Sequence, residues 1–326
     1  MSDTISTSGV IGSGGFGTVY RATLADGSVV ALKVPHKDKE SMLVGEVVRK
    51  NIDSLASVSH KGIARPLDLV EFEGRRAVVS QLVADAVDIA QVHGSDTIPV
   101  RAALGIVAAA ALATEAGLAS AGSCHGDLKP QNIMITADGT VYITDYGLMS
   151  AVGLANVDPN ATMLFGSLGY MAPEALDDEA SGAEDVYALS KVLWELVTRA
   201  RPPKAAIGRA RYDKQVAKLQ TQIGNVVGEG GSGIAKLVAE GLAYDPTERP
   251  SAADFAKRAK ALASTQPGLP LRDWAKAAVG SVVEARGERV VGGEDFSDRS
   301  GQAEAVAPSE AKPAGVWDTV KGWFGQ

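Results

Sequence analysis

The densest chemistry in this chain lies in His125-Gly126-Asp127-Leu128-Lys129-Pro130-Gln131-Asn132, followed by Asp145-Tyr146-Gly147. Moving a phosphoryl group between oxygens takes a carboxylate that orients the attacking hydroxyl and accepts its proton. It also takes amide and carboxylate oxygens for a divalent metal, and cations for the phosphates. Asp127, Asn132, Asp145 and Lys129 supply one of each kind within nineteen positions. The plain alternative is a loop rich in turn-forming Asp, Gly and Asn. The spacing and two upstream motifs argue against it.

The first of those motifs is Ile11-Gly12-Ser13-Gly14-Gly15-Phe16-Gly17-Thr18-Val19. Glycines in a turn let backbone N–H groups approach phosphate oxygens without Cβ obstruction. A dinucleotide-binding fold places such a turn between a strand and a helix. Here Val19-Tyr20 continues as a strand towards the hairpin signal Asp26-Gly27. The second motif is Ala31-Leu32-Lys33-Val34 on the next strand, where alternation aims Lys33 at the face under the glycine turn. Standing alone, the first motif favours phosphate binding over a plain glycine bend, whereas the second favours a surface lysine.

The elements that must position these residues fall into two textures. Val10 to Ala22, Ser28 to Val34, Ile63 to Phe72 and Arg76 to Val83 read as strands, with Glu40 to Val58 at helical spacing between them. After Ala84 the pattern turns helical: Arg101 to Ser120, Asp185 to Thr198, Gly233 to Ala243 and Ala252 to Ala263. Two brief apolar runs flank Asp138-Gly139. The expectation is an α+β chain with an antiparallel-sheet lobe at 1–83, a mainly helical lobe at 84–263 and a flexible tail at 264–326, within which Leu271 to Glu284 suits a helix.

The chain has 326 residues with a formal net charge of −7, which disfavours a broadly basic nucleic-acid binder. Its lone cysteine, Cys124, forms no internal disulfide, and Met1 to Val10 lacks the pattern of a signal peptide. The apolar stretch Ala102 to Ala113 is short for a membrane span and reads as a buried helix. A cytoplasmic location without a transmembrane segment is the expectation.

Together these motifs resemble the Hanks-type (eukaryotic-like) serine/threonine protein kinases, of a bacterial or viral cast, from about Val10 to Ala263. The resemblance implies a bilobal fold that binds ATP and magnesium between its lobes and phosphorylates protein substrates. Gly12, Gly14 and Gly17 would cover the phosphates, Val19 and Ala31 would roof the adenine, and Lys33 would hold the α- and β-phosphates. Asp127 would be the catalytic base, Lys129 would contact the γ-phosphate, and Asn132 and Asp145 would ligate the metal. Ser80 to Val83 is similar to the hinge. Gly166 to Glu174 resembles the substrate-positioning segment, with Glu174 paired to Arg249, and Asp185 opens the helix that anchors the catalytic loop.

Three positions depart from the family. Gly126 replaces the arginine that usually meets a phosphorylated activation loop, so switching through a site such as Thr162 is in question. Tyr146 replaces a phenylalanine and brings a hydroxyl that needs a partner. The glutamate paired with Lys33 is taken as Glu46, with Glu40 its competitor. Two rivals share parts of the pattern. Small-molecule kinases related to aminoglycoside and choline phosphotransferases carry His-Gly-Asp, and a pseudokinase would keep the fold without turnover. Lys129, the Ala-Pro-Glu segment and Arg249 weigh against the first, and the intact Lys33, Asp127 and Asp145 against the second. At the C-terminus, Trp317, Val320, Trp323 and Phe324 lie near helical spacing and suit partner docking or folding back onto the kinase.

Overall fold

Five antiparallel strands form the first sheet, in the order β1-β2-β3-β5-β4. They span Ser6–Ser13 (β1), Gly17–Thr23 (β2), Val29–Pro35 (β3), Pro66–Phe72 (β4) and Arg75–Gln81 (β5). Alternation gives one apolar face, where Ala22, Val30, Leu32, Val34, Ala77 and Val79 bury together. Helix α1, Glu46–Ala56, sends Ile52 against Val78 in a separate small cluster.

The computed structural model describes residues 5–37, 46–56, 58–95, 97–146, 168–175 and 181–291. Glu40, Gly147, Thr162, Gly166, Ser167, Trp317, Val320, Trp323 and Phe324 lie outside the described residues, as does the side chain of Glu46. The chain divides into two compact units, Met1–Arg286 and Gly287–Gln326, and the candidate site lies in the first.

Beyond Gln81 the chain becomes helical around one large core. A short strand Val87–Asp88 (β6) leads into Ile89–Ser95 (α2) and then Val100–Ala121 (α3). Helix α3 is 22 residues long, and by length and composition alone it meets the requirement for a membrane span, more than Ala102 to Ala113 implies. In this fold its alanine-rich sides let neighbouring helices approach, and Ala102, Leu104, Ile106, Val107 and Ala111 are buried. Its neighbours include Ala183–Thr198 (α4) and Ala252–Thr265 (α7). Between these two lie Arg209–Val227 (α5) and Gly231–Gly241 (α6).

Strands Ile133–Ile135 (β7) and Val141–Ile143 (β8) complete a second sheet with β6. The residues before β4 join this sheet: Ile143 N donates to Gly62 O and Ala64 N donates to Ile143 O, each at 2.9 Å. That pairing ties the strand-rich lobe to the segment leading into Asp145.

Helix α8, Leu271–Val291, carries the compact unit past the expected boundary at 263. Trp274 is 3% exposed, and Ala275, Ala278 and Val279 are also buried in the large core. Leu271, Trp274, Ala275, Ala278 and Val279 follow the helical period on one face. The polar and glycine-rich residues around them mask this stripe, so the expected flexible tail does not describe this helix.

Candidate active site

The glycine motif is the connection between β1 and β2. Gly14 N donates to Gly17 O at 3.0 Å, closing the turn. At Gly17 a Cβ would lie 2.2 Å from Val34 O, so the close approach of β2 to β3 excludes any other residue. Val19 pairs with Lys33 and Arg21 with Ala31, which sets Val19, Ala31 and Lys33 on one face of the sheet. Lys33 Nζ stands 5.1 Å from the centre of the Phe16 ring, beneath the turn.

His36 also belongs to this turn, and sequence reasoning missed it. Its backbone N–H donates to Phe16 O at 2.9 Å and its ring Nε2 lies 3.0 Å from Gly14 O. A lone histidine after Pro35 carries no motif, so only the three-dimensional pairing of β2 with β3 reveals it.

The loop from His125 to Asn132 hangs from buried anchors. Asp185, in the first turn of α4, accepts from His125 N at 2.8 Å and Gly126 N at 3.0 Å. Burial raises the Asp185 carboxyl to about 7, against the pull of those two N–H donors. The buried His125 ring bonds Thr144 O through Nε2 at 2.8 Å and accepts from Asp127 N through Nδ1 at 3.2 Å. This pattern fixes the Nε2–H tautomer, and burial lowers the ring to about 4, keeping it neutral. Gly126 has φ 78°, a left-handed conformation that a Cβ would strain. The backbone thus favours glycine where the family's arginine usually stands.

Asp127 and Asp145 meet at the centre. Lys129 Nζ donates to Asp127 Oδ2 at 2.7 Å, and Asn132 Nδ2 donates to Asp127 O at 2.7 Å and Oδ2 at 3.1 Å. Lys33 Nζ donates to Asp145 Oδ2 at 2.6 Å. Asp145 itself has φ 61°, a strained setting that Asp tolerates better than most residues. Thr144 N donates to Asn132 O at 3.0 Å, stitching the two segments together. Burial raises the Asp127 carboxyl, and the Lys129 charge and hydrogen bond only partly offset it. Burial also pushes Asp145 up, but the Lys33 charge and hydrogen bond, with Lys129 adding, outweigh it and leave that carboxyl below its usual range.

Supporting contacts complete the surroundings. The Tyr146 hydroxyl lies 3.1 Å from both Thr114 O and Ser123 O, so its polar handle is satisfied in the core. Arg249 grips Glu174 through both terminal nitrogens, with Nη2 to Oε2 at 2.8 Å. Cys124 donates to Glu184 Oε2 at 3.2 Å, and burial pushes its thiol up, which fits a packing role. His60 Nδ1 accepts from Gly62 N at 3.2 Å, a turn-stabilising contact.

The structure therefore brings Lys33, Asp127, Lys129, Asn132 and Asp145 together, beside the face that carries Val19 and Ala31 and the turn that carries Gly12, Gly14 and Gly17. Glu46 opens α1.

The protein kinase domain model matches residues 5–259, which takes in every one of these residues. The chain belongs to the protein kinase domain family. Similar curated proteins include a probable serine/threonine-protein kinase, pknA2, of Bifidobacterium longum. It is 31% identical over 273 residues, covering 81% of this chain and 35% of that relative. The serine/threonine-protein kinase PknA of Mycobacterium tuberculosis is 36% identical over 201 residues, covering 59% of this chain and 46% of its own length. A probable serine/threonine-protein kinase PknB of Lactococcus lactis is 31% identical over 194 residues, covering 58% and 30%. The chain thus spans less than half the length of each of these relatives. Its fold is the α+β bilobal fold of a protein kinase domain, and that domain is built to use ATP.

Proposed function

We propose that this chain is a serine/threonine protein kinase that moves the terminal phosphoryl group of ATP onto protein hydroxyls with magnesium. The observation that carries this reading is the state of the Asp127 carboxylate. Oδ2 is tied to Lys129 and Asn132, while Oδ1 has no hydrogen bond among the described residues. Oδ1 is thus available to accept an acceptor hydroxyl's proton. The raised affinity of the buried carboxyl for a proton suits it to that task.

The site fits magnesium. Asn132 uses its amide nitrogen on Asp127, which leaves the amide oxygen for a metal. The Asp145 carboxylate is kept ionised by Lys33. Two hard oxygen donors, completed by phosphate and water, are the usual protein share of a magnesium site. A metal held by Asn132 and Asp145 would neutralise charge on the phosphates. Lys33, set under the glycine turn by β3, balances charge from the other side. Lys129 holds Asp127 in place and keeps a cation beside it. His125 and Asp185 fix the loop so that none of these groups must reorganise during transfer.

The test is incubation with γ-labelled ATP, magnesium and generic protein substrates, followed by phosphoamino-acid analysis. Label on serine or threonine that disappears with EDTA is the expected result. ATP binding with no label on any protein would contradict the proposal.

A further inference from the structure

The stretch from Arg199 to Lys218 holds seven basic residues and one acidic residue, in a chain whose formal net charge is −7. The acid, Asp213, is already paired with Arg209 at 3.0 Å. Arg201, Lys204, Arg211, Lys214 and Lys218 are exposed, and none has an ion-pair partner among the described residues. Helix α5 explains part of this arrangement. Tyr212, Leu219 and Ile223 turn inward, which leaves Arg211, Lys214 and Lys218, at i, i+3 and i+7, along the opposite face.

Two contacts make this face continuous with the loop before it. Gln215 Nε2 donates to Lys204 O at 2.8 Å, and its Oε1 accepts from Ala206 N at 3.0 Å. Lys204 is thereby held beside the basic face of α5. At its other end the loop abuts the segment that precedes Glu174. A Cβ on Gly169 would lie 2.5 Å from Pro202 O. The neighbouring Tyr170 hydroxyl bonds Glu195, and the Arg201 charge acts on both groups.

We propose that this basic strip recognises an acidic segment of the protein substrate, and so selects acceptors with Asp- and Glu-rich surroundings. The inference rests on the kinase reading and names the substrate class for it. The strip starts beside the segment that resembles the substrate-positioning element and runs outward across the loop onto α5. An extended chain placed at that segment meets positive charge on this side. Unpaired lysines and arginines cost little in water and raise the local concentration of an anionic partner.

The experiment uses the full chain and fluorescent peptides that share one Ser/Thr acceptor. One set carries Asp and Glu runs on either side of the acceptor, and the other carries Ala and Gln there. Binding is read by anisotropy and transfer by label from ATP. Wild type should bind the acidic set about tenfold more tightly, with a preference that fades as salt rises. Lys204→Glu/Arg211→Glu/Lys214→Glu/Lys218→Glu should abolish that preference. The corresponding alanine variant should reduce it, and it serves where the charge reversal fails to fold. Equal binding of both sets, or a preference that survives the substitutions, would overturn the proposal. So would binding to phosphatidylserine vesicles through these residues without peptide discrimination. Discriminating binding with no label on either set would sink the kinase reading while leaving the strip in place.

Discussion

Lys33 Nζ and Asp145 Oδ2 stand 2.6 Å apart, although 112 positions separate them in sequence. The lysine comes from the strand-rich lobe and the aspartate from the segment after β8. The pair links the two parts of the site directly, and it keeps Asp145 ionised despite burial.

Lys33→Met removes the largest influence that lowers the Asp145 carboxyl, together with the cation under the glycine turn. Loss of one such preorganised charge typically costs about 10²–10³-fold in rate. Steady-state kcat/KM should fall by at least that much while the fold persists by circular dichroism. Near wild-type turnover would remove Lys33 from the site.

A pH profile examines Asp127. The proposed transfer needs its ionised form, and burial already places its carboxyl above the ordinary value. Lys129 opposes that rise through charge and a hydrogen bond. Lys129→Ala should therefore push the carboxyl further up, and the acid limb of kcat/KM should move to higher pH. An acid limb that stays put, or moves to lower pH, would contradict this coupling.

The Glu174–Arg249 pair is structural. The Arg249 side chain is 0% exposed, so Glu174→Ala would leave a buried cation without its carboxylate. Breaking such a pair from one side typically costs about 3–5 kcal/mol. Urea unfolding should show a loss of that order, with Glu174→Gln retaining part of the stability. A change within about 0.5 kcal/mol would place the arginine in water instead.

Helix α8 makes a similar claim for the C-terminal side. Trp274→Ala should destabilise the kinase domain by about 3–5 kcal/mol, as other buried aromatic truncations do. A tail outside the domain would give almost no change in the same unfolding experiment.

Much of this architecture was legible because the small lobe is written in short-range signals. Asp26-Gly27 and the alternation of Ser28 to Val34 locate a hairpin that the structure sets at β2 and β3. The apolar period of Arg101 to Ser120 likewise falls within α3. Helix α5 escaped because only Tyr212, Leu219 and Ile223 bury, too sparse a stripe among charged, polar and small residues to show the helical period. Helix α2, at seven residues, is too short for periodicity to speak. In the site, Asp127, Lys129, Asn132 and Asp145 stood out because their types and spacing repeat a known chemistry. Thr144 contributes through its backbone carbonyl and amide, which leave no mark on residue type. His36 contributes through a ring contact and a backbone N–H that meet the glycine turn only when β2 and β3 pair.

In the proposed mechanism Asp127 accepts the proton of a protein hydroxyl during phosphoryl transfer. Asp127→Asn keeps the shape of the side chain and removes the proton acceptor. Nucleotide affinity of this variant, measured by calorimetry, and label transfer from γ-labelled ATP to protein serine and threonine together test that role of Asp127. ATP binding should stay close to wild type, with transfer reduced by at least about 10²-fold, the usual reach of general-base catalysis. Transfer at the wild-type rate with binding intact would contradict it.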